Sequence, residues 1–438
     1  MKILKFGGTS VGSPQRMKDV SALINDGEAK IVVLSAMSGT TNSLVEIADY
    51  INKRNPEAAN NVINKLRGMY MQHVEELYTD TALAEQTRQL LRDIFLHLHN
   101  LTACSYTPQL EKEILAQGEL MSTHMVTNYL LELGVKVKLI PALDYMRIDE
   151  NGEPDLPYIK QHIAEILKQH AGYDLYITQG FICRNTKGET DNLQRGGSDY
   201  TACLIGAVLG AEEIQIWTDI DGMHNNDPRF VPGTTPVRQL NFEEAAELAY
   251  FGAKILHPTC IQPARYAGVP VRLLNTMDPS APGTIINNQM QRGTIKAVAA
   301  KDNITAIKIV SSRMLLATGF LRKVFEIFET NQTPIDMVTT SEVGVTLTID
   351  NTAHLAAITE ELKKYGTVET DENMCIICVV GDLRWGNVGF ETLVTEALSE
   401  IPVRMISYGG SNHNISLLVR EADKKAALCA LSAKLFVS

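Results

Sequence analysis

An α/β fold with a mainly parallel sheet, followed by a smaller α+β region, is what the sequence predicts. Three observations carry that expectation. Lys30-Ile31-Val32-Val33-Leu34-Ser35-Ala36 reads as a strand with an unbroken apolar run, of the kind buried on both faces of a parallel sheet. Two early runs, Ile3–Phe6 and Ile31–Leu34, each feed a glycine- and hydroxyl-rich loop and then a helix pattern. After about residue 295 the glycine loops give way to alternating strands and short helices, with a weak internal repeat: Pro334–Thr339 aligns with Pro402–Ser407 at an offset of 68 residues.

The bulk properties narrow the class. A chain of 438 residues is expected to make two or three domains, at about 100–200 residues each. Hydrophobic residues at 45% and charged residues at 21% leave enough apolar side chain for a large core. Net charge is −11 and no dense Lys/Arg run occurs, which argues against nucleic acid as a partner. No apolar run approaches the roughly 18 residues that span a membrane, and the first residues lack a signal-peptide core, so a cytoplasmic protein is expected. Seven scattered cysteines suit reduced thiols. Cys375 and Cys378 match C-x-x-C, but on the strand predicted there residues three apart face opposite sides, so no metal or redox pair is expected.

In chain order, Met1–Phe6 leads into Gly7-Gly8-Thr9-Ser10, where adjacent glycines let backbone N–H groups approach an anion and Lys5 adds an ammonium. This is not a Walker loop, since no G-x-x-x-x-G-K-[ST] follows. The second strand enters Met37-Ser38-Gly39-Thr40-Thr41, with a helix predicted from Asn42 or Ser43 and a Ser43/Glu46 capping box. Two such loops in one α/β domain suggest one shared ligand. Residues 50–110 read as mainly helical, and Leu110–Leu133 as a long helix closed by Gly134. Gly118 inside that helix asks for a close approach, because glycine there costs about 1 kcal/mol against alanine. Glu119 beside it can fix a cationic group.

Strands follow at Val135–Leu139, Leu175–Thr178, Glu213–Trp217 and Val269–Leu274. Between them lies Arg195-Gly196-Gly197-Ser198-Asp199, in which an arginine fork adjoins a helix N-terminus, a receptor for a carboxylate beside a phosphate. Asn226-Asp227-Pro228-Arg229 makes a turn carrying another arginine, and a helix over Phe242–Tyr250 runs into Phe251-Gly252-Ala253-Lys254-Ile255-Leu256-His257-Pro258. Lys254 lies among apolar residues, unusual without a partner for its charge. Cationic and N–H-rich groups at the strand ends of one α/β domain fit phosphoryl transfer, which depends on positioning and charge neutralisation. The later region reads as a βαββαβ plan used twice, with helices at Phe320–Glu329 and Phe390–Ser399 and strands at Val345–Ile349 and Ile415–Val419, a binding or regulatory module.

Taken together, Lys5–Ser10, Gly118-Glu119, Arg195–Asp199, Trp217-Thr218-Asp219 and Phe251–Pro258 resemble the aspartate kinases, over nearly the whole chain and in the expected order. The resemblance implies an amino-acid-kinase (carbamate-kinase-like) three-layer fold over residues 1–290. Two ferredoxin-like ACT domains would follow over 296–438, the first about 311–373 and the second about 374–438, paired with a strand at 304–310. It is closest to the monofunctional lysine-sensitive type, which has Thr339-Thr340-Ser341-Glu342 in its first ACT unit.

It implies ATP-dependent phosphorylation of the L-aspartate side chain to 4-phospho-L-aspartate, the entry to lysine, threonine and methionine synthesis, with Mg²⁺ on the nucleotide. Lys5, Asp199 and Lys254 would be catalytic. Lys5, Gly7, Gly8, Ser10, Thr218, Asp219, His224, Arg229 and Lys254 would meet ATP; His224 stands where the family often has Tyr. Ser38, Thr41, Glu119, Arg195, Gly196 and Ser198 would meet aspartate. An amino-acid effector, L-lysine, would meet Met314, Phe320, Leu321, Ile335, Asp336, Ser341 and Glu342. Ala317 and Pro334 replace serines common in lysine-binding relatives, leaving fewer polar contacts. No resident protein-bound metal is expected, and a homodimer or larger homo-oligomer is. Two other readings fit the same residues: another acidic amino-acid kinase of this fold, and a non-catalytic amino-acid sensor.

Overall fold

β1 (Lys2–Phe6) is short and lies in the middle of a sheet, hydrogen-bonded on both sides, with Ile3, Leu4 and Phe6 buried. In the computed structural model, which describes all residues except 194, 195, 253–255, 315–317, 437 and 438, the chain divides into two units. One is Met1–Met223 with Ile255–Asn288; the other is His224–Lys254 with Gln289–Ser438. The segment 224–254, read from sequence within the first domain, thus groups with the second unit.

The first unit begins with two strand–loop–helix steps: β1, α1 (Pro14–Ile24), β2 (Lys30–Leu34) and α2 (Thr40–Asn52). Three long helices follow, α3 (Pro56–Leu77), α4 (Thr81–Leu101) and α5 (Pro108–Glu132). Then come β3 (Val137–Leu139), α6 (Leu156–Gln169), β4 (Leu175–Gln179), the hairpin of β5 (Ile182–Arg184) and β6 (Thr190–Asn192), α7 (Gly197–Leu209) and β7 (Ile214–Thr218). β8 (Gln239–Asn241) and α8 (Phe242–Tyr250) lie in the segment that groups with the second unit. The first unit ends with α9 (Gln262–Ala267), β9 (Val271–Asn275) and β10 (Thr284–Asn287).

Its sheet runs β3-β4-β2-β1-β7-β9-β10, parallel throughout except for the last pair. From β1 the chain moves to β2 on one side and returns at β7 on the other, which makes the C-terminal ends of β1 and β7 a topological switch point, where open α/β sheets bind ligands. Helices α2 to α5 close one face through a core that includes Phe6, Leu34, Leu44, Tyr70, Phe95, Met121 and Trp217.

The predicted start of α2 is corrected. The helix begins at Thr40 behind Gly39, which is left-handed at φ 83°, and no side chain caps it. The turn is already closed by Thr40 N–H on Met37 O at 3.0 Å, so the helix nucleates before Ser43, whose hydroxyl donates back to Gly39 O at 3.3 Å.

The second unit continues with β11 (Ile295–Val310), α10 (Phe320–Thr330), β12 (Val338–Thr340), β13 (Gly344–Ile349), α11 (Leu355–Lys363), β14 (Thr367–Gly381), α12 (Phe390–Ala397), β15 (Met405–Tyr408), β16 (Asn414–Arg420) and α13 (Lys424–Leu435). Its strands form one antiparallel sheet, β12-β13-β11-β14-β16-β15. The repeat is real at the level of elements: Gly319 at φ 86° and Gly389 at φ 96° start α10 and α12, and Asn303 and Asn373 are both left-handed in the two long strands. One core, with Ile307, Val324, Phe328 and Leu347, lies under the first half; another, with Ile377, Val394, Leu417 and Leu428, lies under the second.

The implied exchange of strands needs a correction. Residues 305–310 pair with β13 on one side and with 367–371 of β14 on the other, all within the first half. The stretch that crosses to the second half is 295–301, paired with 376–381. The reason is that β11 and β14 are long strands shared by both halves and bulged near their middles. Cys375 and Cys378 do face opposite sides of β14: Cys375 joins the second-half core with Ile377 and Val379, whereas Cys378 does not.

Candidate active site

The two predicted loops meet. Phe6 pairs with Leu34 and with Trp217, so the C-terminal ends of β2, β1 and β7 lie side by side. Ser38 N–H donates to Gly8 O at 3.1 Å and Ser35 N–H to Phe6 O at 3.2 Å. A Cβ on Gly8 would stand 2.8 Å from Ala36 O, so this backbone-to-backbone approach requires glycine. Ser38 and Thr41 are exposed on the second loop and the first turn of α2. Ser10 is fully buried, and its hydroxyl shares a 2.8 Å hydrogen bond with Thr276; it fixes the loop from beneath rather than lining its surface.

Lys5 and Asp199 form the central ion pair, Nζ to Oδ1 at 2.7 Å, with side chains only 11% and 15% exposed. Asp199 lies in the first turn of α7, where its charge also suits the helix dipole. Gly196 caps that helix in the left-handed region at φ 72°, and a Cβ there would stand 2.2 Å from Cys260 Sγ. The Cys260 thiol, pushed up to about 12 by burial and then by the Asp199 charge, stays protonated and donates to Gly196 O at 3.6 Å. The stretch after the apolar-embedded lysine therefore packs against the glycine turn. Phe181 is left-handed at φ 66°, a strained conformation for a bulky residue, and its ring fills the space a Cβ on Gly197 would need. Ser198 is half-buried against Gly180. A hollow of about 450 Å³ opens beside this turn, walled by Phe181, Asn192, Leu193, Gly196, Gly197 and Lys112. Hollows of about 680 and 850 Å³ elsewhere contain none of the predicted site residues.

Glu119 is 5% exposed and accepts the Ala36 N–H at 3.1 Å, while Ser122 Oγ donates to Ser35 O at 2.8 Å. α5 thus clamps the second loop from behind. Burial raises the Glu119 carboxyl to about 7 against the bond from Ala36. The oddity of Gly118 is explained: a Cβ there would lie 2.7 Å from Ala36 Cβ and 3.3 Å from Leu44 and Thr40 side-chain carbons. Gly118→Ala is expected to destabilise the protein. Overpacking costs about 1–3 kcal/mol, more than the roughly 1 kcal/mol alanine returns as a better helix former. Denaturant titration checks the sign.

Thr218 ends β7 with its hydroxyl on Ile220 O at 3.2 Å, and Asp219 beside it is exposed. His224 and Arg229 belong to the second unit. There His224 Nδ1 shares a 2.9 Å bond with Thr234, and Arg229 is exposed with its guanidinium bidentate on Asp227 at 2.6 and 3.0 Å. Arg195, Lys254 and Ala317 lie outside the described residues.

Of the effector set, Phe320 is in the first-half core and Met314 and Ile335 pack on it. Leu321, Ser341 and Glu342 are exposed, as is Pro334, with Ser341 Oγ donating to Gly344 O at 3.4 Å. Asp336 has a buried side chain, ion-paired to Lys301 at 2.7 Å. The sequence reading missed Thr276, Cys260, Phe181 and Lys301. Only Phe181, flanked by a glycine after a buried strand, carried a local signal.

A parallel sheet with apposed glycine loops at its switch point, a buried Lys–Asp pair and a helix N-terminus defines a non-Walker phosphotransferase-type site, here joined to a duplicated regulatory sheet. Residues 1–275 match the amino acid kinase family and residues 377–435 the ACT domain family. The chain is 34% identical over 447 residues to lysine-sensitive aspartokinase 3 of Escherichia coli (strain K12), covering 99% of both. It is 35% identical to the chloroplastic aspartokinase 1 of Arabidopsis thaliana, covering 100% of this chain and 80% of that one. The crystal structure of E. coli aspartokinase III in complex with aspartate and ADP (R-state) superposes with a TM-score of 0.84 at 33% identity over 100% of both chains. The complex of the same enzyme with lysine and aspartate (T-state) gives 0.83 at 35% identity, again over 100% of both chains. The chain belongs to the aspartokinases of the amino acid kinase family.

Proposed function

We propose that the protein transfers the γ-phosphoryl group of ATP to the side-chain carboxylate of L-aspartate, giving 4-phospho-L-aspartate and ADP. The observation that carries the reading is the Lys5–Asp199 pair, set between the Gly7-Gly8 loop and the α7 N-terminus at the ends of β1, β2 and β7. A carboxylate is already a nucleophile at neutral pH, so no strong base is required; the difficulty is bringing two anions together. Lys5 supplies positive charge to the transferring phosphoryl group, and Asp199 holds the ammonium in place. Lys254 is assigned the same task on sequence alone.

The Gly7-Gly8 loop meets the phosphates through the Gly8 N–H and the bare backbone of Gly7, whose own N–H donates to Trp217 O at 3.4 Å. Thr218, Asp219, His224 and Arg229 are assigned to the nucleotide. Aspartate is held by Arg195 with Gly196 and Ser198 at the start of α7, and by Ser38 and Thr41. Glu119 takes the α-ammonium or, through Ala36, orients the loop around it. Among the described residues no group of three or more His, Cys, Asp or Glu is placed to hold a metal. Magnesium is assigned as part of the nucleotide substrate, liganded by phosphate oxygens and water.

Met314, Phe320, Leu321, Ile335, Asp336, Ser341 and Glu342 are assigned to an amino-acid effector, L-lysine, and the chain to a homodimer or larger homo-oligomer in the cytoplasm. Among the described residues no helix is long and apolar enough to cross a membrane. A hydroxamate assay over L-aspartate, L-glutamate and N-acetylglutamate tests the reaction. Acyl phosphate is expected from aspartate; product from glutamate with none from aspartate would overturn the reading. Titration of activity with lysine and threonine tests the effector, with lysine expected to inhibit.

A further inference from the structure

The turn between β9 and β10 is exposed at its tip, residues 277–280, and carries a threonine at each end that is tied to a loop at the head of the sheet. Thr276 follows β9 directly. Its N–H donates to Thr218 O at 2.8 Å, one residue beyond the Thr218–Asn275 pair, and its hydroxyl shares a 2.8 Å hydrogen bond with that of the fully buried Ser10. At the other end, Thr284 is fully buried and its hydroxyl accepts the Met223 N–H at 2.9 Å. Gly222 is left-handed at φ 78° and so close that a Cβ would stand 2.3 Å from the same hydroxyl.

The loop after β7 is therefore held at its start, Thr218, and at its end, Gly222-Met223, by the two ends of one hairpin. The loop after β1 is fastened to the same hairpin through Ser10, whose N–H closes the glycine turn on Gly7 O at 3.0 Å. Thr276 reaches both loops at once, one with its backbone and the other with its hydroxyl. What it fixes is their spacing.

We propose that Thr276 is a positioning residue for the nucleotide, setting the distance between the Gly7–Ser10 loop and the Thr218–Gly222 loop without itself meeting a substrate. A nucleotide that bridges two loops binds better when their donors already stand at the right separation, because less ordering is left to binding. Removing either hydroxyl leaves the other buried without its partner, and the loops part to admit water. The proposal rests on the assignment of ATP to these loops, and adds to it the residue that holds them in register.

The test uses the full-length chain, with ADP as the probe for calorimetry and turnover measured on ATP and L-aspartate. Thr276→Val keeps the side-chain shape and the N–H and removes the hydroxyl; Ser10→Ala removes the other half of the bond. Each is expected to weaken ADP binding and raise KM for ATP about tenfold, the scale of one net hydrogen bond, with KM for aspartate within about twofold. The double variant should be no worse than either single one, because both remove the same bond. Thr276→Ser retains the hydroxyl and is expected to bind ADP as the parent does. A merely structural role lowers stability in urea without separating the two substrates.

Unchanged ADP affinity in both single variants overturns the proposal. So does an equal rise in KM for both substrates that Thr276→Ser does not reverse, which places the effect in packing around β9. If the parent binds ADP but yields no acyl phosphate from aspartate, the assigned reaction falls and the ADP affinities still decide the role of Thr276. A parent that binds no ADP overturns both.

Discussion

Replacing Lys5 by alanine is expected to reduce turnover by about 10³-fold, the scale seen when one preorganised charge-stabilising group is removed from a transition state. The loss should fall in kcat, with KM for both substrates changing far less, because the ammonium acts on charge that develops during transfer. A second effect follows from the pairing. Asp199 is only 15% exposed and would be left without its partner at 2.7 Å. An orphaned, largely buried charged group costs about 1–3 kcal/mol or more, so Lys5→Ala should also unfold at lower denaturant. Lys5→Ala/Asp199→Asn should recover much of that stability and none of the activity. Rapid-quench turnover and urea titrations on the three variants separate the two effects; near-normal kcat in Lys5→Ala would remove Lys5 from the reaction.

The second large effect concerns Glu119 and pH. Burial raises its carboxyl from 4.5 to about 7 in the folded protein, against the bond from Ala36 N–H. Between those two values the folded state holds a proton that the unfolded state has lost. Glu119's contribution to stability is therefore most favourable below 4.5 and declines as pH rises through about 7. Above 7 both states are ionised and the full penalty, about 3 kcal/mol, applies. Glu119→Gln keeps an acceptor for Ala36 N–H and has no proton to lose. At pH 8 it should be the more stable chain by up to that amount, and at pH 4.5 nearly equal to the parent.

Activity should move the other way. If the ionised carboxyl serves aspartate's α-ammonium, KM for aspartate rises as pH falls below about 7 in the parent, whereas in Glu119→Gln it is high at every pH. A flat KM profile in the parent would leave Glu119 with only its structural task at Ala36.

Much of the site was legible from the chain. Gly7 and Gly8 announce a backbone that must come close to something, and the unbroken apolar runs before each loop require strands buried on both faces. Those two facts fix parallel neighbours and put the loops at one end of a sheet. Lys5, at the end of such a strand, had to find an anionic partner. Gly118 gave notice of a close approach, though not of what approached.

What the sequence did not carry were relations between distant segments that share no local pattern. Nothing near Ser10 says that its hydroxyl is spent on Thr276, and nothing near Cys260 says that its thiol holds the Gly196 carbonyl. The start of α2 moved forward because Met37 O captured Thr40 N–H, a turn geometry that outweighed the capping signal at Ser43 and Glu46. The strand exchange in the second unit was misplaced because β11 and β14 are long enough to serve both halves, and only the register shows where one half ends.

By itself the sequence determined the chemistry available: which strands are buried, where the backbone is bare of side chains, and which cations stand at strand ends. Those follow from residue type and spacing, and both are local. The tertiary structure alone decided which groups meet: Lys5 with Asp199 across 194 positions, Glu119 with Ala36, and Asp336 with both Lys301 and Tyr250. Such pairings depend on how elements pack and on which polar groups burial forces to find partners, and no periodicity in the chain records that.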